Sequence, residues 1–297
     1  MRIEGLVAAT FSPMNQDGSL KLSQVPGIVE HLIEDGIAGL YVCGSTGEGP
    51  LMSGDERRQV AEAYVSATAG RIPVIVQIGH DSLAEARDLA QHARDCGADA
   101  ISAIAPRYFG CDSVDTLVSC LEEATRSVPD MPFFYYHIPA LSGINFDMLQ
   151  LLRKAPKQVP GFAGIKYSAL TVHEYQECLD CAGDEYTVLF GCDEMLLSSL
   201  AVGGYGAVGS TFNFAAPLYN GIIDAYRQSD LQCARDLQLK SVKMIHMLYD
   251  RYRGQPGFKA IMSLLGQDCG PNRLPLQAVC EADRQQLHKD LEQIGFL

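Results

Sequence analysis

The sequence predicts an α/β protein, a TIM (β/α)8 barrel with a C-terminal helical extension. Three observations point there: short apolar runs rich in β-branched residues, amphipathic stretches that separate them, and a final third with helical patterning alone. Strand–helix alternation implies a parallel sheet. Eight such units are expected to close into a barrel, and 297 residues accommodate one barrel of about 250 residues plus an extension.

The strand candidates, in order, begin with Leu6–Phe11, Leu40–Cys43, Val74–Ile78 and Ala100–Ile104. Phe133–Tyr136, Phe162–Lys166, Tyr186–Phe190 and Gly206–Ser210 complete the set. Pro73 and Pro132 stand at strand starts, where a missing N–H does least harm. Between the strands, Gln24–Asp35 puts Val25, Ile28, Val29, Leu32 and Ile33 on one helical face. Asp81–Cys96 does the same with Leu83, Ala86, Leu89, Ala90 and Ala93. Gly36, Gly70 and Gly97 sit where helices are expected to stop. After Pro217 the pattern is purely helical and too long for one closing helix. The expected division is therefore a barrel with the active site over residues 1–216 and a helical extension over 217–297.

A formal net charge of −13 is the wrong sign for a nucleic-acid binder or a protein held on an anionic membrane. No apolar run approaches the ~18 residues of a membrane span, and the N-terminal residues lack a signal-peptide pattern. The expectation is a cytoplasmic enzyme with a small-molecule substrate, its 10 cysteines free thiols in a reducing compartment. Cys178 and Cys181 form a lone C-x-x-C without a second pair at zinc spacing, so neither a metal nor a redox role is expected of them. Gly204, Gly206 and Gly209 form a G-x-G-x-x-G that lies before and within a strand. A dinucleotide fingerprint must follow the strand, so that reading is rejected.

Chemistry in such barrels sits at the C-terminal ends of strands. Strand two ends in Gly44-Ser45-Thr46-Gly47-Glu48, either a nest of N–H and hydroxyl donors for a small anion or a turn with a helix cap. Strand five ends in Tyr135-Tyr136-His137-Ile138-Pro139; alternation sends Tyr136 and Ile138 one way, Tyr135 and His137 the other. Tyr136 is either a proton relay or a core aromatic. Lys166 ends an apolar strand. Buried, its pKa falls and the free amine can attack a ketone; at the rim, it simply snorkels to water. Strand seven ends in Gly191-Cys192-Asp193-Glu194, whose carboxylates suit either a polyol or the next helix N-terminus. Cys43 and Cys192 flank these positions as candidate oxidation-sensitive thiols. Strand eight ends in Gly209-Ser210-Thr211.

In the order GSTGE, Y-x-I-P, G-I-K, G-x-D-E, G-S-T, from Gly5 to about Asn213, the chain resembles the N-acetylneuraminate lyase and dihydrodipicolinate synthase family. The resemblance implies a TIM barrel, usually a homotetramer, that needs no metal or dissociable cofactor because Lys166 forms a Schiff base with a 2-oxo acid. It implies Tyr136 as the proton relay and Ser45 and Thr46 as holders of the substrate carboxylate. Tyr108, in Pro106-Arg107-Tyr108-Phe109, matches a tyrosine that reaches into a neighbouring subunit's site. The synthase branch carries an arginine shortly after Y-x-x-P, where this chain has Ala140-Leu141-Ser142-Gly143. The chain is similar instead to the branch that cleaves sialic acid to N-acetylmannosamine and pyruvate, in which Ser168, Gly191, Asp193, Glu194 and Ser210 line the sugar half. A 2-keto-3-deoxy sugar acid aldolase and a dihydrodipicolinate synthase are the alternatives. A second substrate bearing an anion would need a cation that these positions do not offer.

Overall fold

A computed structural model of the chain describes residues 1–296. Eight parallel strands close in sequence order, β8 pairing back onto β1. The first half runs β1 (Gly5–Ala9), α1 (Val25–Glu34), β2 (Gly39–Val42), α2 (Gly54–Thr68), β3 (Val74–Gln77), α3 (Leu83–Asp95), β4 (Ala100–Ile104) and α4 (Val114–Thr125). The second half runs β5 (Phe133–His137), the short α5 (Pro139–Ser142), α6 (Met148–Lys154), β6 (Phe162–Tyr167), α7 (Val172–Ala182), β7 (Thr187–Phe190), α8 (Leu196–Ala201), β8 (Gly206–Gly209) and α9 (Phe212–Arg227). Then come α10 (Leu231–Tyr252), α11 (Gln255–Leu264) and α12 (Glu281–Gln293).

Local chemistry sets the helix starts. Ser53 makes a reciprocal capping box with Glu56, its Oγ accepting from the Glu56 N–H at 3.2 Å while the Ser53 N–H donates to Glu56 Oε2 at 2.9 Å. Ser82, Ser113, Asp147 and Asp230 cap α3, α4, α6 and α10 through their side chains. Gly36 and Gly97 follow α1 and α3 with φ of +78° and +89°, the left-handed stop expected of them.

Two apolar layers share the strands by alternation. Leu6 and Ala8 face the helices, while Val7 and Ala9 face the barrel interior with Tyr41, Ile75, Phe134 and Val208. On β6 the alternation breaks. Phe162 packs outward and Ala163 inward, but Ile165 is outward again. The register against β5 shifts at the same place, Phe133 facing Phe162 and Phe134 facing Gly164. One extra residue on β6 inverts the facing of everything after it. Lys166 therefore points inward and lies opposite Tyr136. Gly164 permits this: its φ is +149°, and a Cβ there would lie 1.8 Å from the Thr187 carbonyl oxygen on β7. Gly164→Ala is expected to cost about 2–3 kcal/mol through backbone strain and overpacking. Urea denaturation checks it, an unchanged midpoint showing that the bulge tolerates a side chain.

The expected division at 216/217 lies beside a kink in α9, where Ala215 leaves helical dihedrals (φ −131°, ψ 18°) and separates two helical pieces; α9 packs on β1 and β8. Pro217 follows the kink, in the first turn of the second piece, where a missing N–H is tolerated. A proline cannot donate to the carbonyl four residues back, and that carbonyl, of Asn213, pairs with His31 Nε2 at 3.0 Å instead. The residues beyond the barrel's own helices form α10 to α12. α10 packs along α9, and α11 in turn packs on α10.

Candidate active site

The C-terminal strand ends open into a cavity of about 740 Å³. Lys166 lies at its base, 4% exposed. Its Nζ sits 3.9 Å from the ring centroids of both Tyr41 and Tyr136, two rings in edge-to-face contact at 5.6 Å. Such aromatic faces favour an ammonium, but desolvation dominates and pushes the amine down to about 7, with Asp193 pulling it back up. Of the two readings of Lys166, the buried amine is the one observed. Tyr136 lines the cavity beside it, while Tyr135 and His137 pack outward, as alternation predicts. Burial lifts the Tyr136 phenol to about 12, against the lowering influence of the Ser45 and Ser168 hydroxyls. Burial holds His137 at about 4, so it stays neutral.

Ser45 and Thr46 line the same cavity, and neither caps a helix; that task falls to Ser53. Thr46 Oγ1 lies 2.6 Å from Ser210 Oγ, which joins the loop after β2 to the end of β8. The Thr46 and Gly47 N–H groups have no protein acceptor among the described residues. The loop is held from behind. Glu48, at φ +57°, buries its carboxylate against Lys259 Nζ at 2.7 Å, with Asn272 Nδ2 at 3.1 Å and the Arg273 N–H at 2.7 Å also donating to it.

Ser168, Gly191, Asp193, Glu194 and Ser210 form the other wall. Ser168 Oγ is buried without a well-formed hydrogen bond, a hydroxyl free to meet a ligand. Gly191 is required beside it, because a Cβ there would lie 1.9 Å from that oxygen. Asp193 Oδ2 accepts from the Thr211 N–H at 2.8 Å and the Thr211 hydroxyl at 2.6 Å. Burial raises its carboxyl to about 6 despite those donors. Asp193 thus braces the end of β8 as well as facing the cavity, and Glu194 beside it lines the same wall.

Tyr108 does not reach this cavity. It stands 82% exposed on the loop after β4, edge-on to an equally exposed Phe109. Cys192 lines the cavity but Cys43 does not; burial lifts their thiols to about 12 and about 11, which leaves little thiolate to oxidise. Cys178 and Cys181 are free on α7. No group of three or more His, Cys, Asp or Glu among the described residues could hold a metal ion.

Several cavity residues were not singled out from the sequence. Tyr41 does not line the cavity, yet its ring lies 3.9 Å from Lys166 Nζ; within the fully buried β2 nothing in the sequence distinguishes it. Tyr249, Arg253, Gln255 and Phe258 come from α10, α11 and their junction, more than 80 residues from Lys166 in the chain, and no local pattern marks them. Arg253 also corrects one inference. The segment after Pro139 carries no arginine, yet a guanidinium does line the cavity, delivered by the end of α10.

A profile of the dihydrodipicolinate synthetase family matches residues 2–294. N-acetylneuraminate lyase A of Xenopus laevis is 39% identical over 285 residues, covering 95% of this chain and 93% of that protein. Among solved structures, Proteus mirabilis N-acetylneuraminate lyase superposes with a TM-score of 0.96 at 36% identity, each chain covered in full. A catalytic lysine mutant of Ruminococcus gnavus sialic acid aldolase superposes with a TM-score of 0.93 at 26% identity, covering 99% of this chain and 98% of its own.

Proposed function

The chain belongs to the dihydrodipicolinate synthetase family, and from that membership we propose that it is a class-I aldolase-type lyase cleaving N-acetylneuraminate to N-acetylmannosamine and pyruvate. The observation that carries the reading is the Lys166 amine, brought down to about 7 by burial and set against Tyr136 in a cavity walled by hydroxyls. The full-length similarity to N-acetylneuraminate lyases supports the choice of substrate.

The open-chain sugar acid enters with its carboxylate on the Ser45 and Thr46 hydroxyls and the free N–H groups of their loop, which brings C2 to the amine. Lys166 Nζ attacks C2 and water leaves, giving an iminium. The C4 hydroxyl gives up its proton through Tyr136, acting with the substrate carboxylate. A phenol at about 12 keeps its proton at neutral pH, so Tyr136 passes one proton on as it takes another. The C3–C4 electron pair moves into the iminium, leaving an enamine on Lys166 and releasing N-acetylmannosamine as its aldehyde. Protonation of the enamine at C3 and attack of water then release pyruvate and restore the amine. Ser168, Glu194 and Ser210 offer the sugar hydroxyls donors and acceptors. The electron sink is Lys166 itself, so no dissociable cofactor enters the sequence of steps.

The enzyme is further proposed to work in the cytoplasm as a homotetramer. Ten free cysteines support a reducing compartment. The exposed Tyr108–Phe109 pair supports a loop that inserts into a second copy of the chain. No helix among the described residues is long and apolar enough to cross a membrane.

The test is direct. Incubation with N-acetylneuraminate should release pyruvate, and borohydride in the presence of pyruvate should leave a reduced three-carbon adduct on Lys166, mapped by mass spectrometry. An adduct elsewhere, or faster turnover of 2-keto-3-deoxygluconate than of N-acetylneuraminate, would overturn the assignment.

A further inference from the structure

The loop that carries Ser45 and Thr46 is gripped by one side chain from outside the barrel strands. Gln255, the first residue of α11, donates from Nε2 to the Ser45 carbonyl at 2.8 Å and to the Thr46 carbonyl at 3.0 Å. A trans peptide is planar, with its N–H on the edge opposite its C=O. Holding both carbonyls on the Gln255 side therefore turns the N–H groups of the two peptides, those of Thr46 and Gly47, the other way. Neither of these two N–H groups has a protein acceptor among the described residues. An amide bridging two successive carbonyls in this way sets the donors of the nest before any ligand arrives.

We propose that Gln255 is a positioning residue for the carboxylate of the 2-oxo acid, acting through the Ser45–Thr46 and Thr46–Gly47 peptides. The inference rests on reading that loop and Lys166 as a 2-oxo acid site. It gives the junction of α10 and α11 a part in recognising the keto-acid end of the substrate. Lys259, one turn further along α11, holds Glu48 at the end of the same loop, so a single helix fixes the loop at both ends.

The experiment measures borohydride trapping of pyruvate on the intact enzyme as a function of pyruvate concentration, for Gln255→Met and Gln255→Glu. Methionine keeps the length and loses both donors; glutamate sets an acceptor against two carbonyl oxygens. Half-saturating pyruvate is expected to rise about tenfold in the methionine variant and further in the glutamate variant. In the methionine variant the limiting trapping rate and its pH profile should stay as in the wild type, since that substitution neither alters the burial of Lys166 nor adds a charge beside it; the glutamate carboxylate, like Asp193, should move the profile upward. Trapping of acetone, a ketone without a carboxylate, should be unaffected; a merely structural lesion would slow both ketones alike. Gln255→Asn, too short to span both carbonyls, reads the same quantity should the methionine variant fail to fold. Unchanged half-saturation in these variants, or an equal loss with acetone, overturns the proposal while leaving the lyase reading intact. Absence of any wild-type adduct overturns both.

Discussion

Lys166→Met is expected to abolish turnover, by more than about 10³-fold, and to raise the melting temperature in the same variant. The loss follows from the chemistry, because no other amine lines the base of the cavity to form the iminium. The gain follows from burial. Lys166 has its pKa brought from the usual 10.5 to about 7 by desolvation, so the folded state bears a cost on the order of 4 kcal/mol for this group at neutral pH. Below about pH 7 folded and unfolded chains both hold the proton, and the cost is present in full. Between about 7 and 10.5 the unfolded chain binds more protons than the folded one, so wild-type stability rises with pH and the cost fades. The advantage of the methionine variant should thus be largest at pH 7 and below and shrink toward pH 10. Calorimetry across that range reads it, and a variant less stable than the wild type at pH 7 would show that the lysine sits in a favourable environment. The same titration predicts that initial adduct formation with pyruvate climbs through pH 7, the free amine being the attacking form.

Breaking the Glu48–Lys259 pair is expected to cost about 3–5 kcal/mol. Both side chains are fully buried, at 0% and 1% exposure, and their atoms lie 2.7 Å apart. Burial pulls the Lys259 amine down while Glu48 pulls it up. In Glu48→Gln the lysine keeps the burial and loses the opposing charge, so its folded pKa drops further below 10.5. The loss is then complete at neutral pH and diminishes as pH climbs toward 10.5, where the unfolded chain releases its proton too. The double variant Glu48→Gln, Lys259→Met leaves no buried charge and should recover most of the stability. Its catalysis should not recover, because Glu48 also accepts from Asn272 and from the Arg273 backbone and so ties the Ser45–Thr46 loop to the C-terminal segment. Denaturant unfolding of the three variants, set beside their KM values, separates the two effects. A double variant as unstable as the single one would mean that the uncompensated charge is not what costs.

Much of this architecture is written locally. Each strand candidate overlaps an observed strand, because a run such as Val74-Ile75-Val76 is buried on both faces and is apolar throughout. Tyr136 faces inward because β5 alternates without interruption up to it. Ser45, Thr46, Ser168, Asp193, Glu194 and Ser210 meet in one cavity because each follows a parallel strand, and parallel strands end on the same side.

Local order of residues thus sufficed for the barrel, its strand ends and the polar side chains standing there, since period-two and 3.6-residue patterns are properties of short segments. The direction and charge of Lys166 are not. Alternation along Ala163, Gly164 and Ile165 would have turned the lysine outward; the bulge that turns it inward depends on the Thr187 carbonyl of the neighbouring strand approaching Gly164 too closely for any side chain. Its amine is near neutral because Tyr41 and Tyr136, brought from β2 and β5, exclude water from it. Desolvation is a sum over everything that surrounds a group, and only the closed barrel assembles those surroundings.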